Sequence, residues 1–109
     1  MRDLTNIEIH NFIKGSTEEP AALYIQTPLC GTCKMGRRML DITLEAISQS
    51  ETSEPKIGAC NLNAMPELAE KYSITSVPCL LFLHRGIAVK KIYAMQSVDF
   101  LYQNVKKYL

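Results

Sequence analysis

The chain has 109 residues, 47% of them hydrophobic and 21% charged, an ordinary globular balance that excludes disorder. That length builds one domain, here 1–109, and buries enough apolar surface to fold without a disulfide framework or a structural metal. Twelve Lys+Arg against eleven Asp+Glu leave a formal net charge of +1, and with no basic stripe or acidic tail there is no electrostatic footprint for nucleic acid.

Thr5-Asn6-Ile7-Glu8 has the form of a capping box and opens a first helix with Ile9, Phe12 and Ile13 at helical spacing. Gly15 is its expected stop, and 16–20 its polar loop. Ala21 to Gln26 is a short apolar run between loop signals, the mark of a buried strand. After Thr27-Pro28 a long helix is expected from Gly31 to about Ser48. Met35, Met39, Ile42 and Ala46 form one stripe along it, and Leu40, Leu44 and Ile47 the next, together a wide apolar face for packing on a sheet. Gly36 inside that helix costs roughly 1 kcal/mol relative to Ala, and nothing in the sequence accounts for it.

A polar loop over 49–55 leads to a second strand, Lys56 to Leu62, which carries Cys60. Pro66 then suits the first turn of a short helix ending near Tyr72, with Glu67 at its positive end. Cys79 to His84 reads as a strand, Arg85-Gly86 as a tight turn, and Ile87 to Tyr93 as the returning strand. Ser97 and Asp99 cap a last helix with Val98, Leu101, Val105 and Tyr108 inward, and Lys106-Lys107 suit its negative end. A further strand could only be Met1 to Leu4. Strands separated by helices imply parallel crossovers, and the last two strands imply one antiparallel pair. The fold class is therefore α/β, a central mixed sheet flanked by helices on both faces.

The apolar run Cys79–Leu83 is far too short to cross a bilayer. Arg2, Asp3, Glu8 and His10 leave no signal-peptide core. The expectation is a cytoplasmic monomer with no membrane partner. In that compartment four cysteines read as catalytic, metal-binding or buried thiols rather than as a disulfide framework.

Cys30-Gly31-Thr32-Cys33 lies between a strand end and a helix start. A thiol at a helix N-terminus meets unpaired N–H groups and partial positive charge, which favour the thiolate. Cys30 takes the exposed cap; Cys33 lies one turn in, deeper, and close enough to bond to it. Thiol–disulfide exchange fits: Cys30 attacks a substrate disulfide, and Cys33 then attacks the Cys30 sulfur to release reduced substrate. Gly31 and Thr32 are small enough to admit a substrate backbone. Pro78 has two readings, a cis turn presenting the Val77 backbone edge to an extended substrate strand or simply the start of a strand.

Over nearly its whole length, from about Leu4 to Leu109, the chain resembles thioredoxin. The resemblance is carried by the Cys30–Cys33 motif after a strand, by Ile74-Thr75-Ser76-Val77-Pro78, and by the Gly86 turn. Asn61-Leu62-Asn63 and Lys71-Tyr72 also fall at family-like intervals. It implies the thioredoxin fold, a redox-active Cys30–Cys33 pair, reduction of protein disulfides, and a cis peptide at Val77-Pro78 contacting substrate. It further implies no cofactor bound within the chain, with electrons supplied by an NADPH-dependent flavin enzyme resembling thioredoxin reductase.

Several positions depart from the family pattern. Leu29 stands in place of Trp, Thr32 of Pro, Arg38 of the Pro that kinks the helix, and Tyr93 of a Gly on the substrate groove. Tyr24 stands in place of a buried Asp, and Ala59 in place of its Lys partner. Leu29 and Tyr93 thus redraw the docking surface. The intervening pair shifts the redox potential. Tyr24, ionising near 10 in its reference state, is a poor base for Cys33, so slower resolution or resolution through water is expected.

Two other functions compete. A metal or thiol site could use Cys30, Cys33 and Cys79, one ligand short of the four that zinc usually takes; neither His10 nor His84 has a ligand spacing. Alternatively the fold serves as a non-catalytic adaptor. Cys79 is either a buried small hydrophobe or a third redox thiol, Cys60 is structural, and dispersed Met residues are core filler.

Overall fold

Ala22 and Tyr24 face one way from their strand, and Leu23 and Ile25 the other, and both sets are fully buried. A strand whose two faces are both covered reads as a continuous apolar run. In the computed structural model, which describes residues 1–51 and 53–109, this strand is the middle of a five-stranded sheet. The elements are β1 (Arg2–Asp3), α1 (Asn6–Gly15), β2 (Ala21–Gln26), α2 (Gly31–Ser50), β3 (Ile57–Asn61), a 3-10 turn (Leu62–Ala64), α3 (Glu67–Lys71), β4 (Cys79–His84), β5 (Ile87–Ile92) and α4 (Val98–Tyr108).

The strand order is β1-β3-β2-β4-β5. β3 pairs parallel with β1 and β2, and β4 pairs antiparallel with β2 and β5. Leu23, Ile25, Cys60, Cys79, Leu81 and Leu83 meet Ile9 of α1 and Leu68 of α3 on one face. Tyr24, Leu80 and Phe82 meet Leu40 and Ile47 of α2 and Leu101 and Val105 of α4 on the other. The α/β expectation holds.

The capping box at Thr5 is formed in both directions, the Thr5 hydroxyl accepting from the Glu8 N–H and the Glu8 carboxylate from the Thr5 N–H. Gly15 is the last helical residue rather than the stop, because the Ser16 N–H still reaches the Phe12 and Ile13 carbonyls. Arg85 and Gly86 both have positive φ, 58° and 75°, the combination that matches a two-residue hairpin to strand twist. Their N–H groups dock on the carbonyl and hydroxyl of the buried Ser16, at 2.6 and 3.0 Å. Ser97 caps α4 as expected, accepting from the Phe100 N–H. Within α4, Leu101 and Val105 are fully buried, while Val98 and Tyr108 are half-buried.

Three expectations about element extent are corrected. α2 runs on through Ser50, which shortens the polar loop, and Thr52 of that loop lies outside the described residues. Lys56 and Leu62 fall outside β3, Leu62 because Asn61 accepts the Asn63 N–H and turns the chain into the 3-10 segment. β5 ends at Ile92, leaving Tyr93 just beyond the sheet.

The apolar face of α2 is also narrower than expected. The helix buries Cys33, Gly36, Leu40, Thr43 and Ile47, whereas Met35 is 67% and Ile42 52% exposed. A helix on a sheet buries only the strip along its line of contact, and small residues such as Gly36 and Thr43 let it lie close. Hydrophobicity alone pointed to both stripes, and it is the one carrying Leu40 and Ile47 that lies against the sheet. Gly36 now has its reason: a Cβ there would lie 2.5 Å from the Tyr24 hydroxyl oxygen and 2.8 Å from Met95 Cγ.

Candidate active site

Pro28 and Leu29 carry the chain out of β2, and α2 starts at once on Cys30 as its N-cap. Cys30 is in extended conformation, φ −102° and ψ 109°. In this geometry a side-chain acceptor meets the free N–H groups of the first turn, and here that acceptor is sulfur. Cys30 Sγ accepts from the Cys33 N–H at 3.1 Å and lies 3.4 Å from the Thr32 hydroxyl. Cys30 is half-buried and Cys33 fully buried. The two are joined in a disulfide with Cα atoms 5.2 Å apart, so the structure is that of the oxidised protein. A disulfide sulfur has no proton, which makes the Thr32 hydroxyl the donor.

Beside the pair lies a groove of about 410 Å³, lined by Thr32 and Met35 on α2, by Val77 and Pro78, and by Tyr93 and Met95. The Val77–Pro78 peptide is cis. Thr32, Val77, Pro78 and Tyr93 are therefore brought together. Gly31 is exposed, with open space where a side chain would be, and Leu29 is 97% exposed beside the pair. A larger hollow of about 500 Å³ opens between Met1, Arg2, Asp41 and Leu44, and no cysteine lines it.

Cys79 heads β4 directly after Pro78, but its side chain belongs to the layer under α1 and α3. Among the described residues no group of three or more His, Cys, Asp and Glu side chains could hold a metal ion. Burial pushes both free thiols, Cys60 and Cys79, up to about 11.

Tyr24 and Ala59 are neighbours in register across β2 and β3. The Tyr24 hydroxyl donates to the Cys33 carbonyl at 2.6 Å, fully buried. Burial, only partly offset by the Arg37 guanidinium, pushes its ionisation up to about 12, so the phenol is neutral at any ordinary pH. The groove lining of Met35, Met39 and Met95 escapes a sequence reading that takes methionine as core filler. Thr32, Met35 and Met39 do share a helical face with the motif, which is the signal that was available. Lys91 of β5, which donates to the Tyr72 and Ser73 carbonyls at 3.0 and 3.2 Å and so holds the segment leading to Val77, gives no such signal.

The thioredoxin family model matches residues 3–107. Among curated proteins, the thioredoxin-like protein YusE of Bacillus subtilis is 36% identical over 85 residues, covering 78% of this chain and 76% of that protein. The thioredoxin of Buchnera aphidicola is 30% identical over 112 residues, covering 97% and 100%. Among solved structures, Fasciola hepatica thioredoxin superposes with a TM-score of 0.76 at 18% identity, covering all of both chains. Oxidised mitochondrial thioredoxin 3 of Saccharomyces cerevisiae gives 0.75 at 21% identity, covering 98% and 94%.

Proposed function

The chain belongs to the thioredoxin family and is a thioredoxin-type thiol–disulfide oxidoreductase, and on that footing we propose that Cys30 is its nucleophile and Cys33 its resolving thiol. One observation carries the assignment: Cys30 Sγ sits at the cap of α2, accepting the Cys33 N–H, while Cys33 is fully buried. The half-buried Cys30 sulfur faces donors that stabilise a negative charge, and the fully buried one is held within bonding distance of it.

Family membership implies protein disulfides as substrates. In the reduced enzyme the Cys30 thiolate attacks one sulfur of the substrate disulfide. The substrate S–S bond breaks, a mixed disulfide forms, and the first substrate thiolate leaves. The Cys33 thiolate then attacks Cys30 Sγ, breaks the mixed disulfide and expels the second substrate thiolate. Two electrons pass to the substrate, which takes up two protons, and the enzyme is left as the disulfide. The dithiol itself carries the electrons.

Leu29, Gly31, Thr32, Val77, Pro78 and Tyr93 form the substrate contact in this reading. It is supported by the groove that four of them line and by the exposure of the other two. The backbone edge at Val77 pairs with an extended substrate segment. An NADPH-dependent flavin enzyme of the thioredoxin-reductase kind returns the disulfide to the dithiol, and the protein works in the cytoplasm as a single-domain monomer. Among the described residues no helix is long and apolar enough to cross a membrane.

The test is disulfide reduction by the wild type, Cys30→Ser and Cys33→Ser proteins. Cys33→Ser should accumulate a mixed disulfide on Cys30. An adduct mapped to Cys33 in the Cys30→Ser protein, with retained turnover, would reverse the assignment.

A further inference from the structure

Resolution needs Cys33 Sγ in line with Cys30 Sγ, and small misplacements of reacting atoms cost large factors in rate. Cys33 lies in the first turn of α2, where a helix is most prone to fray. The Tyr24 side chain rises from β2 against this turn, and its hydroxyl donates to the Cys33 carbonyl oxygen at 2.6 Å. A carbonyl has two lone pairs, so Cys33 can accept this bond and remain part of the helix. The gap at Gly36 admits the phenol, whose oxygen lies 2.5 Å from where a Cβ at 36 would be.

We propose that Tyr24 is a positioning residue for the second half of the exchange: its hydroxyl, seated in the gap at Gly36, anchors the Cys33 peptide so that the buried sulfur stays aimed at Cys30, a role that rests on Cys33 being the resolving thiol. Tyr24 takes no proton, because its own proton is engaged with the Cys33 oxygen and the phenol is neutral below about 12. Cys33 gives its proton to water or a buffer base, its thiolate attacks Cys30 Sγ, and the bond from Cys30 to the substrate sulfur breaks. The bonding pair leaves on the substrate thiolate. Tyr24 is the same before and after.

The experiment mixes reduced protein rapidly with one equivalent of 5,5′-dithiobis(2-nitrobenzoate). The first thionitrobenzoate released reports attack by Cys30, and the second reports resolution by Cys33. For Tyr24→Phe the first release keeps the wild-type rate. The second slows roughly 5- to 10-fold, the scale of one lost hydrogen bond, with the same pH midpoint as wild type. Gly36→Ala, which displaces the hydroxyl from the other side, slows the second release in the Tyr24 protein and adds little in the Tyr24→Phe protein.

An unchanged second rate, a displaced pH midpoint, or fully additive slowing would each overturn the anchor. The two substitutions reach one contact from opposite sides, so if either protein fails to fold the other still decides. The Cys33→Ser protein separates the two claims. An adduct on Cys30 with no effect of Tyr24→Phe removes the anchor alone, whereas no adduct on Cys30 removes the thiol assignment and the anchor with it.

Discussion

The mouth of α2 and the middle of the sheet each hold two cysteines, and the two regions treat sulfur in opposite ways. Cys30 sits where an N–H and a hydroxyl point at it. Cys60 and Cys79 flank Ile25 from the strands on either side, beneath α1 and α3. Burial pushes both strand thiols up to about 11; for Cys60 the Glu67 carboxylate adds to the shift, and for Cys79 the Lys91 charge and the Tyr93 hydroxyl oppose it. At neutral pH the strand pair is hydrocarbon-like filler. Cys79 directly follows Pro78 of the groove and still belongs to the core. Reactivity here follows what faces the sulfur, not how near it lies to the site in sequence.

The contrast should be largest in turnover. Cys30→Ser is expected to lower disulfide reduction by at least about a thousandfold, and Cys60→Ala to leave it at the wild-type rate; comparable losses in both would erase the contrast. Labelling gives the next largest effect. With reduced folded protein at neutral pH, iodoacetamide should modify Cys30 on the order of a hundredfold faster than Cys60 or Cys79, as read by peptide mapping. Equal labelling of the strand thiols without unfolding would show them to be open.

Alkaline stability is a subtler test. The strand thiols have an ordinary value of 9.0 and are raised to about 11 on folding, so between these values the folded state binds more protons than the unfolded state. Their contribution to stability is full below about 9 and is lost as pH rises through about 11. The melting temperature of the reduced protein should fall over that window, and fall less in a Cys60→Ala/Cys79→Ala double variant. That variant should start lower, Cys60→Ala alone costing about 1 kcal/mol. Identical pH slopes would contradict the burial argument. The smallest effect belongs to Leu29→Ala at the exposed rim. Its stability should stay within about 0.5 kcal/mol of wild type, while KM for a protein disulfide such as insulin rises roughly two- to fivefold and that for a small disulfide does not. A parallel rise in both would remove Leu29 from protein docking.

Much of this is legible in the sequence alone. The Thr5–Glu8 box, β2 as a buried apolar run, β4 as a strand, the two-residue turn at Arg85-Gly86 and the Ser97 cap are local patterns with local causes. So is the placement of Cys30 at the start of a helix. The groove was only half legible: Thr32, Val77, Pro78 and Tyr93 could be named, whereas Met35, expected on the buried face of α2, is solvent-exposed and Met39 is only partly buried against the core. Gly36 announced itself as an anomaly without an explanation. Its explanation lies on another element, in the Tyr24 hydroxyl and Met95.

The order of covalent bonds along the chain therefore determined the elements, the cysteine pair and the position of its first sulfur at a helix terminus, because capping, turns and periodicity act over only a few residues. Which stripe of α2 is buried, which layer receives Cys79, and that Tyr24 rests against the Cys33 peptide were decided only by how the helices lie on the sheet. Those contacts join residues far apart in sequence, and they follow from the fit of volumes and the pairing of buried polar groups, which no local pattern encodes.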